Sequence, residues 1–148
     1  MTIKDLHNNM RAKTVMAPRA LATVAGSKTA YVLDRQGFGG VEFLFSYGTA
    51  GASTATIPVV VKDGDTSGTL TSVADTYLLG TETLAGVGAV ARVSGTSMNV
   101  TKRVGYVGNK RYVAAYFGTV SAAVVSASKL FAITGILHSP SIAPTANP

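Results

Sequence analysis

The sequence predicts an all-β fold, an antiparallel β-sandwich, jelly-roll-like, of about eight or nine short strands with extended N- and C-terminal arms. Three observations predict it. Runs rich in Val, Tyr, Phe and Thr recur roughly every dozen residues, each bounded by Gly, Asn, Asp or Ser. Residues 41–47 alternate strictly, with Val41, Phe43, Phe45 and Tyr47 on one face and Glu42, Leu44 and Ser46 on the other. That is the period of a half-buried strand. There is no βαβ alternation and no internal repeat.

Residues 1–19 are polar and basic and contain Pro18, so they read as an N-terminal basic arm. A single sandwich domain spans 20–138, beginning with candidate strands at 20–25 and 30–34. A Gly turn at 36–40 leads into the alternating strand 41–47. After a small-residue loop at 48–54, Thr56 to Lys62 is β-rich, with Pro58 arguing for an edge or a bulge. Asp63 to Gly68 reads as a loop. Leu70 to Leu79 is the one candidate for a short helix, since Val73, Thr76, Tyr77 and the following Gly80 recur at intervals of three or four. Strands are predicted at 89–93 and 98–107.

Residues 101–117 carry the strongest local signal. Two β-rich runs flank Gly108-Asn109, residue types that supply the positive φ of a tight hairpin turn. Leu130 to Leu137 is the last strand, with Phe131, Ile133 and Leu137 on one face. Residues 139–148 contain Pro140, Pro144 and Pro148. They read as an extended Pro-rich C-terminal arm, since proline lacks the N–H that a helix or inner strand needs.

The 148 residues suit one domain with a real core. Hydrophobic residues make up 47% and argue against disorder. Only 14% are charged, and surfaces of small neutral residues suit contacts in an assembly. The absence of cysteine excludes disulfides and Cys-based zinc sites. No apolar run approaches the ~20 residues of a membrane helix, and the N-terminus lacks the apolar stretch of a signal peptide. Synthesis in the cytoplasm is the expectation.

The net charge is +6. Lys4, Arg11, Lys13, Arg19 and Lys28 precede residue 29 with one acid, Asp5, among them; Arg92, Lys102, Arg103, Lys110 and Arg111 form a second group. Such an excess suits an acidic partner, nucleic acid or simple solvation. The basic 101–117 stretch with Tyr106, Tyr112, Tyr116 and Phe117 could stack bases. Alternation instead assigns these rings to a core, with Tyr106 beside Val104 and Tyr112 and Tyr116 beside Ala114.

Catalytic signals are sparse. Gly86-Val-Gly88-Ala-Val-Ala91 matches Gly-x-Gly-x-x-Ala, but Ser94-Gly95-Thr96 would break the helix that must follow. Asp63-Gly-Asp65 opens like a calcium loop, yet Ala74 occupies the twelfth position where Glu is needed. His7 and His138 lie near opposite ends, the seven acids are scattered, and no Gly-x-Ser-x-Gly elbow exists. The expectation is no enzyme, no cofactor and no metal.

The order of motifs resembles that of small structural proteins from tailed bacteriophages, of the head decoration (cement) type. The pieces are Asp-Leu-His-Asn-Asn at 5–9, Val-Glu-Phe at 41–43, Val-Lys-Asp-Gly-Asp at 61–65, Leu-Leu-Gly-Thr-Glu at 78–82, Arg-Val-Gly-Tyr-Val-Gly-Asn-Lys-Arg-Tyr-Val at 103–113, and the closing Leu-His-Ser-Pro with Ala-Pro. The chain departs from the pattern where Ser139 separates His138 from Pro140, and where Ala114 follows Arg-Tyr-Val in place of a basic residue.

The resemblance implies a virion component on the capsid surface, binding the major capsid protein lattice, with no small-molecule substrate and no membrane. It implies candidate capsid or subunit contacts at Lys4, Arg11, Lys13, Arg19, Lys102, Arg103, Lys110, Arg111, Pro140 and Pro144. A closed homo-oligomer, a trimer rather than a dimer, would suit a capsid junction. Direct contact with nucleic acid is not expected. The alternatives are a tail or head–tail connector subunit and a nucleic-acid-binding β-barrel.

Overall fold

A computed structural model describes residues 6–20, 30–48, 57–86, 100–118 and 130–141. Lys4, Pro144, the predicted strand 89–93 and nearly all of 20–25 lie outside the described residues. The strands are β1 (Met10–Ala20), β2 (Leu33–Asp34), β3 (Phe38–Tyr47), β4 (Val59–Thr66), β5 (Thr69–Ser72), β6 (Leu78–Leu79), β7 (Val100–Tyr106), β8 (Tyr112–Phe117) and β9 (Leu130–Pro140). Among the described residues there is also one short α-helix, α1 (Glu82–Ala85), with single-turn 3-10 helices at His7–Asn9 and Asp75–Tyr77. The strands form two antiparallel sheets, in the orders β1-β9-β3-β7-β6 and β2-β8-β4-β5. The fold is the predicted all-β sandwich.

The alternating strand becomes β3, the centre of the five-stranded sheet, paired with both β7 and β9. Val41, Phe43, Phe45 and Tyr47 are buried, as their period requires. Phe131, Ile133 and Leu137 of β9 join them. The other sheet contributes Leu33, Val59, Val61, Val113, Ala115 and Phe117 to the same core. Phe117 sits edge-on to Phe45, Tyr47 and Phe131, with ring centroids 5.4–5.9 Å away. Such pairs add about 0.5–1.5 kcal/mol each beyond area burial.

Gly135 on β9 faces inward where Leu33 crosses from the opposite sheet. A Cβ there would lie 2.4 Å from Leu33 Cδ1 and 3.1 Å from Val15 Cγ2. The missing side chain is what lets the two sheets close at this point.

Four expectations change. First, residues 10–19 are not an arm: they belong to β1, an edge strand paired with β9 from Met10–His138 to Ala20–Leu130. Pro18 is tolerated because it lies at an edge, within a register shift between Met16 and Arg19. Likewise β9 runs through Ser139 to Pro140, which is paired with Phe38. The C-terminal arm therefore does not start at 139, and Pro140 ends a strand.

Second, β7 and β8 are not a hairpin. β7 lies in the first sheet between β3 and β6, and β8 in the second between β2 and β4. Residues 107–111 therefore turn a corner from one sheet to the other. Neither Gly108 nor Asn109 has positive φ; among the described residues only Gly37, Gly80 and Ser139 do. Inward-facing Tyr106 and Val113 anchor the corner on opposite sides of one core.

Third, 63–66 continues β4 and turns into β5 at Ser67-Gly68, so no loop fills 63–68. Fourth, 70–79 is β5, a single-turn 3-10 helix at Asp75–Tyr77 and β6, with no α-helix. Thr76 and Tyr77 are exposed, so their spacing with Val73 marks no buried helical face.

Candidate functional site

The corner at 107–111 brings together Arg35, Asp34, Asp63, Asp65, Lys110 and Arg111. Arg35, just after β2, aims its guanidinium at four backbone carbonyls. It donates from Nε to Lys110, from Nη1 to Phe38 and Gly39 at 3.0 and 3.2 Å, and from Nη2 to Gly108 at 2.7 Å. Its carbon also lies 5.6 Å from the Tyr106 ring centroid, a cation–π distance. The planar five-donor fork explains how one side chain binds both ends of the corner.

Tyr106 holds the corner from inside. Its hydroxyl donates to Asp63 Oδ2 at 2.7 Å and accepts from the Lys110 backbone N–H at 3.1 Å. Burial, with the Asp63 carboxylate beside it, pushes the phenol up to about 12. Gly108 packs against this ring, where a Cβ would fall 2.4 Å from the hydroxyl oxygen.

Two ion pairs finish the corner. Lys110 Nζ reaches Asp65 Oδ2 at 2.6 Å. Arg111 holds Asp34 with Nε and Nη2, the shortest contact being 2.6 Å. That grip, by hydrogen bond first and charge second, keeps Asp34 below the usual carboxylate range. Both Asp63 and Asp65 are thus occupied by Tyr106 and Lys110. Both acids sit on the β4–β5 hairpin, which is not the helix-flanked loop of an EF-hand. Among the described residues no group of three or more His, Asp or Glu is placed to hold a metal.

The candidate contact residues separate into different environments. Lys110 and Arg111 stay near the surface, engaged with the chain's own acids. Lys102 Nζ donates to the Leu84 and Gly86 carbonyls at 3.1 and 2.8 Å, closing the C-terminal end of α1. Gly86 therefore ends a helix, whereas a dinucleotide fingerprint would open one there. Arg103 is 78% exposed beside Glu42 on the outer face of the five-stranded sheet. Arg19 is exposed on β1.

Arg11 and Lys13 behave differently. They alternate with exposed Met10, Ala12 and Thr14 and turn inward with Val15, at the open side between the sheets. There they line a groove of ≈ 580 Å³ with Tyr31, Leu33, Gln36 and Phe38. Arg11 Nε is buried without a hydrogen-bond partner.

The rings divide as well. Tyr106 is core, as its place beside Val104 implied. Tyr112 and Tyr116 are not: on β8 it is Val113, Ala115 and Phe117 that face the core. The two tyrosines lie half-buried on the outer face, with Arg111 and Lys62 at 5.0 and 5.8 Å from their ring centroids. Neighbouring Val113, equally apolar, was the signal for the opposite phase.

Sequence reasoning missed Arg35 and the groove. A lone arginine between Asp34 and the Gln36-Gly37 turn carries no motif, and the groove is made by strands distant in sequence. No described helix is long and apolar enough to cross a membrane. No protein-family model matches the chain, and no curated protein sequence matches it.

Proposed function

We propose that this chain is a structural protein of a tailed bacteriophage virion, a decoration (cement) protein that binds and stabilises the major capsid protein lattice. The observation that carries the reading is the outer face of the five-stranded sheet. It presents Ala12, Thr14, Thr134, Ile136, Leu44 and Leu79 around a single ion pair, Glu42–Arg103. A broad sheet face this poor in charge loses little hydration when another protein covers it.

The charged corner supports the same reading from the other side. Its cations and acids serve the chain's own scaffold, with Arg35, Lys110 and Arg111 all engaged within it. On a lattice, many copies with modest contacts gain from multivalency. Among the described residues, Arg19 and Arg103 are exposed cations offered to neighbours, and a trimer at a capsid junction is the proposed assembly.

Cryo-electron microscopy of particles carrying this chain tests the proposal. Density repeated across the outer shell is expected. Density confined to the tail or the head–tail vertex overturns it in favour of a connector or tail subunit.

A further inference from the structure

We propose that the groove between β1 and β2 binds an extended acidic peptide segment of a partner protein, with its carboxylates on Arg11 and Lys13. The argument begins with unbalanced charge. Among the described residues neither side chain has a hydrogen-bond or ion-pair partner, and the Arg11 Nε–H is buried. A buried N–H without an acceptor costs about 1–3 kcal/mol, and more when charged. Among the described residues the one acid lining the groove, Asp34, is already gripped by Arg111. Among the described residues the site therefore holds two cations and no free counter-charge.

Geometry selects the shape of the ligand. Arg11 and Lys13 are two residues apart on one face of a strand, a repeat of about 7 Å. A second extended chain repeats its side chains at the same interval. β1 is the end strand of its sheet, with β9 on one side only. Its other side meets the chain at Val15, whose carbonyl accepts from the Tyr31 N–H at 2.7 Å, and the groove opens beyond that point toward Arg11. An unpaired edge is a template for strand addition.

Volume and lining agree. The groove's ≈ 580 Å³ exceeds what one carboxylate fills and lies within the range of ligand clefts, about 300–1,000 Å³. Leu33, Phe38 and Leu137 give its floor apolar surface, and Tyr31, 68% exposed, stands at the rim. The inference rests on this chemistry alone and does not depend on which assembly the chain joins.

The test is titration of the full-length protein, followed by NMR, with a short peptide alternating Glu with Thr. The controls are the same peptide carrying Gln for Glu, and inorganic phosphate. The Glu peptide is expected to shift the Arg11 Nε–H resonance and the amides of β1. The Gln peptide should bind about tenfold more weakly, equivalent to the loss of about 1.4 kcal/mol. Arg11→Gln and Lys13→Gln should each weaken Glu-peptide binding to a similar degree, and Arg103→Gln on the far face should not. Lys13→Gln decides alone if Arg11→Gln loses its fold. Equal affinity for the Gln peptide, or binding undiminished in the variants, overturns the proposal. So does phosphate that binds as tightly as the Glu peptide, which would mark a small-anion site only.

Discussion

The Tyr106 hydroxyl donates to Asp63 across the sandwich, joining β7 of one sheet to β4 of the other at 2.7 Å. A phenol normally takes its buried polar end to a partner. Here the partner is a carboxylate, and the same oxygen accepts from Lys110 N–H, so one atom ties both sheets to the corner between them.

Ionising Tyr106 would place a phenolate beside Asp63. Its folded-state value, about 12, lies above the ordinary 10.0. The neutral form is favoured by folding, so the stabilisation is complete below pH ~10 and is lost as pH rises toward ~12. Urea unfolding should show stability falling across that window in the native protein and less steeply in Tyr106→Phe. At neutral pH the variant should be less stable by about 1–3 kcal/mol, because Asp63 and the Lys110 N–H lose their partner. A flat profile above pH ~10 in the native protein would refute the bond.

Arg35→Lys tests the corner from outside. A lysine ammonium carries the charge but cannot reach four carbonyls in the plane of a guanidinium fork. A loss of about 2 kcal/mol in unfolding free energy is expected, within the range for hydrogen bonds to a charged group. Amide exchange at 107–111 should accelerate more than in the β3 centre. Full stability in the lysine variant would mean that charge alone matters there.

Asp34 gives the acid-side counterpart. Its folded value is depressed by Arg111, so the pair contributes above the ordinary carboxylate value of 3.8 and is lost as pH falls through the lower folded one. Carboxyl-carbon NMR of Arg111→Gln should show Asp34 titrating higher than in the native protein. The stability cost should be small, since 47% and 41% of the two side chains are exposed and solvent screens the pair. An unchanged Asp34 titration would show that Arg111 is not its counter-ion.

Period-2 patterning made β3 and the inner face of β9 legible, because a buried strand must alternate. The layer arrangement was less so. Gly108-Asn109 between two β-rich runs has the composition of a hairpin, and local sequence does not record that each run already has partners on both sides. Pro18 and the basic residues made 10–19 look like an arm, although an edge strand tolerates both. The groove follows the same logic: Arg11 and Lys13 were visible as cations, but their inward phase depends on β1 pairing with β9, a contact between the chain's two ends. Arg35 left no local trace, since all four of its carbonyl partners belong to turns and strand ends.

Gly135 and Leu33 offer a direct measure of how closely the sheets are fitted. Gly135→Ala places a methyl 2.4 Å from Leu33 Cδ1, which must move or push the sheets apart. A cost of about 1–3 kcal/mol is expected, the usual range for overpacking. Leu33→Ala alone should cost about 2–5 kcal/mol by leaving a cavity. In the double variant the new methyl enters the space Leu33 vacated, so the two losses should fall short of their sum. Residues in contact couple by about 0.5–3 kcal/mol in such cycles. Strict additivity would mean that Leu33 does not seat on Gly135, and that another contact sets the spacing between β9 and β2.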